Sequence, residues 1–261
     1  MCLVAFALDA HPRHRLVLMG NRDEAFARPA AGLAPWDDAP EVVAGRDLEA
    51  GGTWLGVTRS GRWAVLTNVR DPLHPRPHVR SRGALAADFL RGDASALDYA
   101  TAVHAARGDF DGFNLVVGDA DAVAVVSTRT DAVTTLGPGV YGLSNDRLDT
   151  PWPKLVQAKR RLRDALRADA VDPADLLALL DDTERAPDQD LPETGVGLEL
   201  ERVLSPVRIV AGDYGTRVST ALVLDRDGGR IVEQTWRRDG TPGPRVSERL
   251  GNRGQRTVGG R

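Results

Sequence analysis

Met1-Cys2-Leu3-Val4-Ala5-Phe6-Ala7-Leu8 opens the chain, and Arg15-Leu16-Val17-Leu18-Met19-Gly20-Asn21-Arg22-Asp23-Glu24 follows a few residues later. Each is an apolar run of strand length bounded by polar residues, which reads as a buried strand. If the two pair as a hairpin, the polar cluster from Asn21 to Glu24 comes to the level of Cys2. That residue is the only cysteine of the chain. A small second residue permits removal of Met1, and the new terminus would carry a thiol and an α-amine side by side. Their ordinary pKa values, about 8.5 and about 7.8, let each exchange protons at little cost near neutrality. Such a terminus is a nucleophile with its own base. The plainer reading makes the cluster a solvated strand end and the cysteine an inert core residue.

With 261 residues, 42% of them hydrophobic, the chain can bury one large core or two small ones. A formal charge of −3 gives no reason to expect nucleic acid or an anionic membrane as a partner. One cysteine excludes an internal disulfide framework, which fits a reducing compartment. The start lacks the basic segment and long apolar run of a signal peptide, and no stretch approaches the roughly 20 apolar residues of a membrane span. A soluble, cytoplasmic protein without an integral membrane segment is expected. Lys154 and Lys159 are the only lysines beside a large excess of arginine, which reads as coding bias.

Beyond the hairpin, residues 28–47 read as a loop rich in Ala, Pro and Asp. Thr53 to Val57 and Arg62 to Thr67 form strands about a Ser60-Gly61 turn, with Asn68 at the far end. Ser81 and Ser95 cap two helices, over Gly83 to Leu90 and Ala96 to Ala106. Period two then returns in strands at 113–117, 122–126, 132–136 and 140–143, the last ending at Ser144-Asn145. A helix follows Asp149-Thr150-Pro151 with Leu155, Ala158 and Leu162 on its apolar face, and another runs from Pro173 to Leu180. The last strands are 207–211, 216–224 and 230–235. From Asp239 the chain is Gly-, Pro- and Arg-rich, so residues 239–261 read as a disordered, dispensable tail beside a single domain over 1–238. The alternation of strand blocks and helix pairs fits an α+β four-layer α-β-β-α sandwich of antiparallel sheets; a two-domain α+β protein fits the pattern nearly as well.

The chemistry is narrowed by what is missing. The five histidines, His11, His14, His74, His78 and His104, have no metal-ligand spacing and read as surface residues. There is no dinucleotide or P-loop fingerprint and no nucleophile elbow. No metal or cofactor is expected. What remains is a polar set at strand ends: Asn21 to Glu24, Asn68 and Asn145. To it is added Arg217, inside the strand Thr216 to Leu224, where an arginine needs an anionic partner or an open pocket.

Met1-Cys2, Asn21-Arg22-Asp23-Glu24, Gly45-Arg46-Asp47, Gly51-Gly52-Thr53-Trp54-Leu55-Gly56 and Leu66-Thr67-Asn68-Val69-Arg70 together resemble the NRDE family, also called transport and Golgi organisation protein 2. Ser81-Arg82-Gly83, Gly112-Phe113-Asn114-Leu115, Leu143-Ser144-Asn145 and Tyr214-Gly215-Thr216-Arg217-Val218-Ser219-Thr220 extend the resemblance to about residue 236. That family in turn is similar to the cysteine N-terminal nucleophile hydrolases, the branch of choloylglycine hydrolase and penicillin V acylase. The resemblance implies their α-β-β-α fold. It also implies roles: Cys2 as nucleophile, an Arg and an Asp attending it, Asn68 and Asn145 as the earlier and later Asn, and Arg217 as the later Arg. Here Arg22 and Asp23 are adjacent and must face opposite ways on a straight strand. Either the strand bulges, or only one serves and Asn21 or Glu24 takes the other role.

Beside the bland reading of an interaction protein that inherited a hydrolase fold, two functions follow. The first is an N-terminal-cysteine hydrolase of amide bonds in a small-molecule substrate, with Cys2, Arg22, Asp23, Asn68, Asn145 and Arg217 as catalytic residues. The second is a non-enzymatic haem or acyl-CoA/lipid trafficking protein, in which Trp36, Trp54 and Trp63 would line an apolar site; ordinary core packing is the better reading of those tryptophans. Under the first, Cys2 and Arg217 are expected to face one pocket.

Overall fold

In the computed structural model, which describes residues 2–73 and 80–251, the opening hairpin forms as read. Strands β1 (Cys2–Leu8) and β2 (Leu16–Ala25) pair antiparallel, Cys2 opposite Arg22 and Leu8 opposite Leu16. Every residue of β1 is buried because both its faces are covered. Val4, Phe6, Leu16 and Leu18 enter a core between two sheets, whereas Leu3, Ala5, Ala7, Val17 and Met19 pack under helices. A continuous apolar run is what a doubly covered strand requires.

The partner sheet is a meander of β3 (Ala30–Trp36), β4 (Ala39–Asp47), β5 (Leu55–Thr58), β6 (Trp63–Asn68), β7 (Phe113–Gly118), β8 (Val123–Ser127) and β9 (Thr134–Thr135). The first sheet is completed by β10 (Gly139–Leu143), β11 (Val210–Ala211), β12 (Tyr214–Leu224), β13 (Gly229–Trp236) and β14 (Pro242–Leu250), in the order β10-β1-β2-β12-β13-β14 with β11 on β12. Helices α1 (Gly83–Arg91) and α2 (Ala96–Ala105) cover the outer face of the meander, burying Leu85, Phe89 and Val103 against Leu66, Leu115 and Val117. Helices α3 (Pro153–Ala165) and α4 (Pro173–Leu179) cover the other sheet through Leu155, Leu162 and Leu176. A short α5 (Leu198–Leu204) precedes β11. The result is the four-layer α-β-β-α sandwich, with three apolar cores between the layers. Among the described residues no helix is long and apolar enough to cross a membrane.

Several sequence readings need correction. Residues 30–47 form β3 and β4. The prolines that argued for a loop, Pro35 and Pro40, are tolerated because β3 is an edge strand and the β3–β4 ladder is irregular. His11 and His14 are buried: the rings stack 4.4 Å apart, His14 contacts Asp225, and its Nε2 accepts the Val171 N–H at 3.0 Å. His74 and His78 lie outside the described residues.

The tail is the largest correction. Residues 242–250 make β14, which pairs with β13 from Gly229 opposite Leu250 to Trp236 opposite Pro242. The segment is polar because, apart from Leu250 in the inter-sheet core, its side chains are mostly exposed on an edge strand. Backbone pairing holds it, and composition does not report pairing. Residues 252–261 lie outside the described ones. Truncation before Asp239 should therefore destabilise the fold. Losing the core contact of Leu250 alone costs about 2 kcal/mol or more, equivalent to a fall of roughly 4–8 °C in a domain of this size. A thermal melt of the truncated chain within one degree of the full chain would show that β14 contributes nothing.

Candidate active site

One rung of the β1–β2 ladder sets the site. Register partners in an antiparallel pair project to the same face, so Cys2 and Arg22 both point between the sheets. They line a cavity of about 150 Å³, roofed by the opposite sheet and its loops. Asn68 enters from the end of β6, Trp54 and Leu66 give it an apolar side, and Arg28, Arg46, Asp47 and Arg82 surround the mouth. Val218 and Glu233 continue the floor across β12 and β13.

The second half of the roof depends on a glycine. A Cβ on Gly52 would lie 2.4 Å from the Gly83 carbonyl carbon, so only glycine lets residues 52 and 83 touch. With that contact made, the Thr53 N–H bonds the Gly83 carbonyl at 3.2 Å, and Arg82 is brought to the cavity. Its guanidinium donates to the Gly112 carbonyl at 3.0 Å and lies 3.4 Å from Asp111.

Burial pushes the Cys2 thiol above its ordinary pKa, and the negative charge of Asp23 adds to this. Arg22 and the Asp23 backbone N–H pull the other way by favouring the thiolate.

Arg22 and Asp23 do face opposite ways, without a bulge in β2 against β1. The Asp23 carboxylate goes behind the sheet, where it accepts from Thr216 Oγ1 at 2.6 Å and is buried. Burial raises its pKa, and the positive charge of Lys154 works against that rise. Asn21 also turns to the helical side, donating to the Val207 carbonyl at 2.8 Å and accepting from Ser219 at 2.6 Å. Glu24 lines the cavity and caps the Ala25 N–H.

Asn145 does not line the cavity. Its Nδ2 donates to the Asn68 carbonyl at 2.9 Å, and the neighbouring Ser144 hydroxyl donates to the Cys2 carbonyl at 3.2 Å. This pair braces β6 and β1, leaving the Asn68 side chain as the amide at the cavity. Arg217 was expected there too, and here the structure corrects the sequence. A bulge between Thr216 and Val218 takes Arg217 out of the ladder with β2. Val218 occupies the rung beside Arg22, and the Arg217 guanidinium instead binds the carbonyls of Ala25 and Arg28 at 2.9 and 2.8 Å. It fastens the strap that carries Arg28 into the wall. The tryptophans share no site: Trp36 and Trp63 belong to different cores and only Trp54 lines the cavity.

Sequence reading missed a charged cluster behind the sheet. Lys154, 3% exposed, donates to the Leu204 carbonyl at the end of α5, at 3.0 Å. Burial pulls its pKa down to about 8, against the charges of Asp23, Cys2 and Glu201. Arg70 pairs with Glu201 at 2.7 Å, both nearly buried, and its guanidinium lies over Trp152. A signal was available. Lys154 precedes Ala158 and Leu162 by one and two i,i+4 steps, so a lysine stands on the buried stripe of α3. Glu233 was likewise legible as the alternate of Ile231 on β13; it is buried, holding the Leu33 N–H at 2.8 Å and the Thr220 hydroxyl at 3.2 Å.

Comparison with known proteins places this site in context. Residues 1–238 match the family model described as Transport and Golgi organisation 2. The Transport and Golgi organization protein 2 homolog of Bos taurus is 35% identical over 253 residues, covering 87% of this chain and 90% of that protein. The Drosophila melanogaster protein of the same name is 29% identical, covering 90% and 92%. Among solved structures, a C2A mutant of the conjugated bile acid hydrolase from Clostridium perfringens superposes with a TM-score of 0.54 at 9% identity, over 95% and 92% of the two chains. That likeness is one of fold, the four-layer α-β-β-α sandwich.

The Lys154 shift makes a stability prediction with a definite sign. Between pH 8 and its ordinary pKa near 10.5, lysine is protonated in the unfolded chain and neutral in the folded one. The unfolded state then binds more protons, so stability rises with pH across that window. The rise from pH 7 to 9.5 should be about 2 kcal/mol and should disappear in Lys154→Met, as read by urea denaturation. Identical slopes in the two proteins would show that Lys154 is not desolvated.

Proposed function

The chain belongs to the Transport and Golgi organisation 2 family, and from that membership and the placing of Cys2 we propose an N-terminal-cysteine hydrolase that cleaves an amide bond in a small substrate. The observation that carries this reading is the position of the only thiol. It stands at the first residue of a strand fixed on both sides, on the same rung as an arginine, at a cavity.

In this reading Met1 is removed, so that Cys2 supplies both sulfur and α-amine. The amine takes the thiol proton as sulfur attacks the amide carbonyl carbon. A C–S bond forms, and the negative charge on oxygen is met by the Asn68 amide from the opposite sheet. One such donor is typically worth about 3 kcal/mol of barrier. The C–N bond then breaks as the α-ammonium returns its proton to the leaving amine. Water, activated by the same α-amine, hydrolyses the thioester and regenerates the thiol. Arg22 stabilises the thiolate from across the rung. Asp23, whose carboxylate is opposed by the positive charge of Lys154, orients the α-ammonium. Asn145 and Arg217 act through what they hold: the end of β6 and the strap at Ala25 to Arg28.

A haem or long-acyl carrier fits this cavity less well. A volume of about 150 Å³ is that of a benzene-sized site, whereas pockets for drug-sized ligands run to about 300–1,000 Å³. Eight of the cavity's nineteen lining residues are charged.

Iodoacetamide labelling reads this site alone, because there is one cysteine. Protein with Met1 removed should label at pH 7 at least about tenfold faster than protein retaining it, with an apparent thiol pKa below that of the unprocessed form and rising in Arg22→Gln. Amide cleavage should vanish in Cys2→Ala. Equal labelling of processed and unprocessed protein would remove the nucleophile from the mechanism.

A further inference from the structure

Ser81, Arg82 and Gly83 all line the cavity, and no step of the hydrolysis described above uses them. Arg82 comes from the opposite sheet and is anchored through one nitrogen. Its Nη1 donates to the Gly112 carbonyl at 3.0 Å and lies 3.4 Å from Asp111. The same carbonyl accepts the Val69 N–H at 2.9 Å, and Val69 follows Asn68. Arg82 is thereby tied to the strand end that carries the cavity amide.

The other cations at the cavity are offset where they stand. Arg22, on the Cys2 rung, forms ion pairs with Asp47 at 3.6 Å and Glu24 at 3.8 Å, and both carboxylates line the cavity. Arg28 shares Asp47 at 2.6 Å. Arg46 has all three of its nitrogens engaged, by the Gly51 carbonyl and a bidentate pair with Asp38. Glu233 adds another carboxylate to the wall. Arg82 differs on two counts. Its counter-charge, Asp111, is not a lining residue, and its Nε and Nη2 make no hydrogen bond among the described residues. Burial lowers the Arg82 pKa, while Asp111 and then a thiolate at Cys2 favour its charged form. Coulombic attraction is mutual, so Arg82 favours that thiolate in return.

We propose that Arg82 is the second cation of the Cys2 site, supplied by the opposite sheet where the bulge in β12 has withdrawn Arg217. Its charge favours the thiolate from the roof as Arg22 does from the rung. The effect on the sulfur stands by itself; its use in amide cleavage rests on the hydrolase reading above.

The test is the pH profile of iodoacetamide labelling of Cys2 in the full chain with Met1 removed. In Arg82→Gln the midpoint should move up by about one pH unit. Labelling at pH 7 should slow only about threefold, because a more basic thiolate is also more nucleophilic. Arg82→Lys should keep at least half of the effect, since the charge remains. Asp111→Asn removes the carboxylate that offsets Arg82, so its midpoint should move down and its labelling speed up. A loosened loop does not give opposite signs for the two partners of one ion pair. Arg80→Gln loses the same charge two residues away, outside the cavity, and should label as the unmodified chain does. An unmoved midpoint in Arg82→Gln, an equal rise in Arg82→Lys, or an equal rise in Arg80→Gln would overturn the proposal. If a melt shows that Arg82→Gln is unfolded, Asp111→Asn decides, and a midpoint unmoved or raised there overturns it. Shifts of the stated signs in a chain that cleaves no amide would support Arg82 as the cation while removing the hydrolase reading. Cleavage with unmoved midpoints would do the reverse.

Discussion

The pairing register of β1 with β2 is the constraint on which the site depends. Both faces of β1 are buried, so polarity does not choose between them; size does. The inter-sheet face carries Val4, Phe6, Leu8, Leu16 and Leu18, and the helical face carries Ala5 and Ala7 beneath Leu155 and Leu162. A slip of one residue would drive Phe6 into space shaped for alanine, and overpacking of that kind costs typically 1–3 kcal/mol per site. The same slip would move Cys2 away from Arg22. Packing far from the cavity thus fixes the two residues that define it.

The alternation that sets the register also separates two electrostatic environments. Arg22 and Glu24 face a cavity open to solvent, while the side chains of Asn21 and Asp23 are buried against Val207 and Thr216. On the buried side Asp23 is opposed by Lys154 and Arg70 by Glu201. Such charges are retained at a desolvation cost of several kcal/mol per ion, which packing alone does not demand. Their placing directly behind the first residues of β1 lets them act on the amino terminus through the sheet.

The first sheet joins the two ends of the chain, β1 and β2 beside β12, β13 and β14. Its bulge at Arg217 lets Thr216 face Asp23 while Val218 faces Arg22. Strict alternation would have put Thr216 and Val218 on one face and denied Asp23 its hydroxyl. The extra residue is what allows one strand to serve both environments.

By itself the sequence determined the elements and left their layering open between a four-layer sandwich and two domains. Apolar runs of period two and a helix stripe of period 3.6 are local, and they fixed β1, β2, β12, α3 and α4. The opposite facing of Arg22 and Asp23 follows from strand geometry alone. Tertiary structure decided what depends on a partner strand or an opposing layer. Whether Arg217 lies in or out of a ladder depends on how many residues β2 sets against it. Whether the polar segment at 242–250 is a tail or a strand depends on the free edge of β13. Whether Lys154 is a solvated lysine or a buried one depends on the Leu204 carbonyl, fifty residues along the chain, closing over it. Hydrogen bonds and burial are properties of pairs brought together by folding, and a single segment records only its own half.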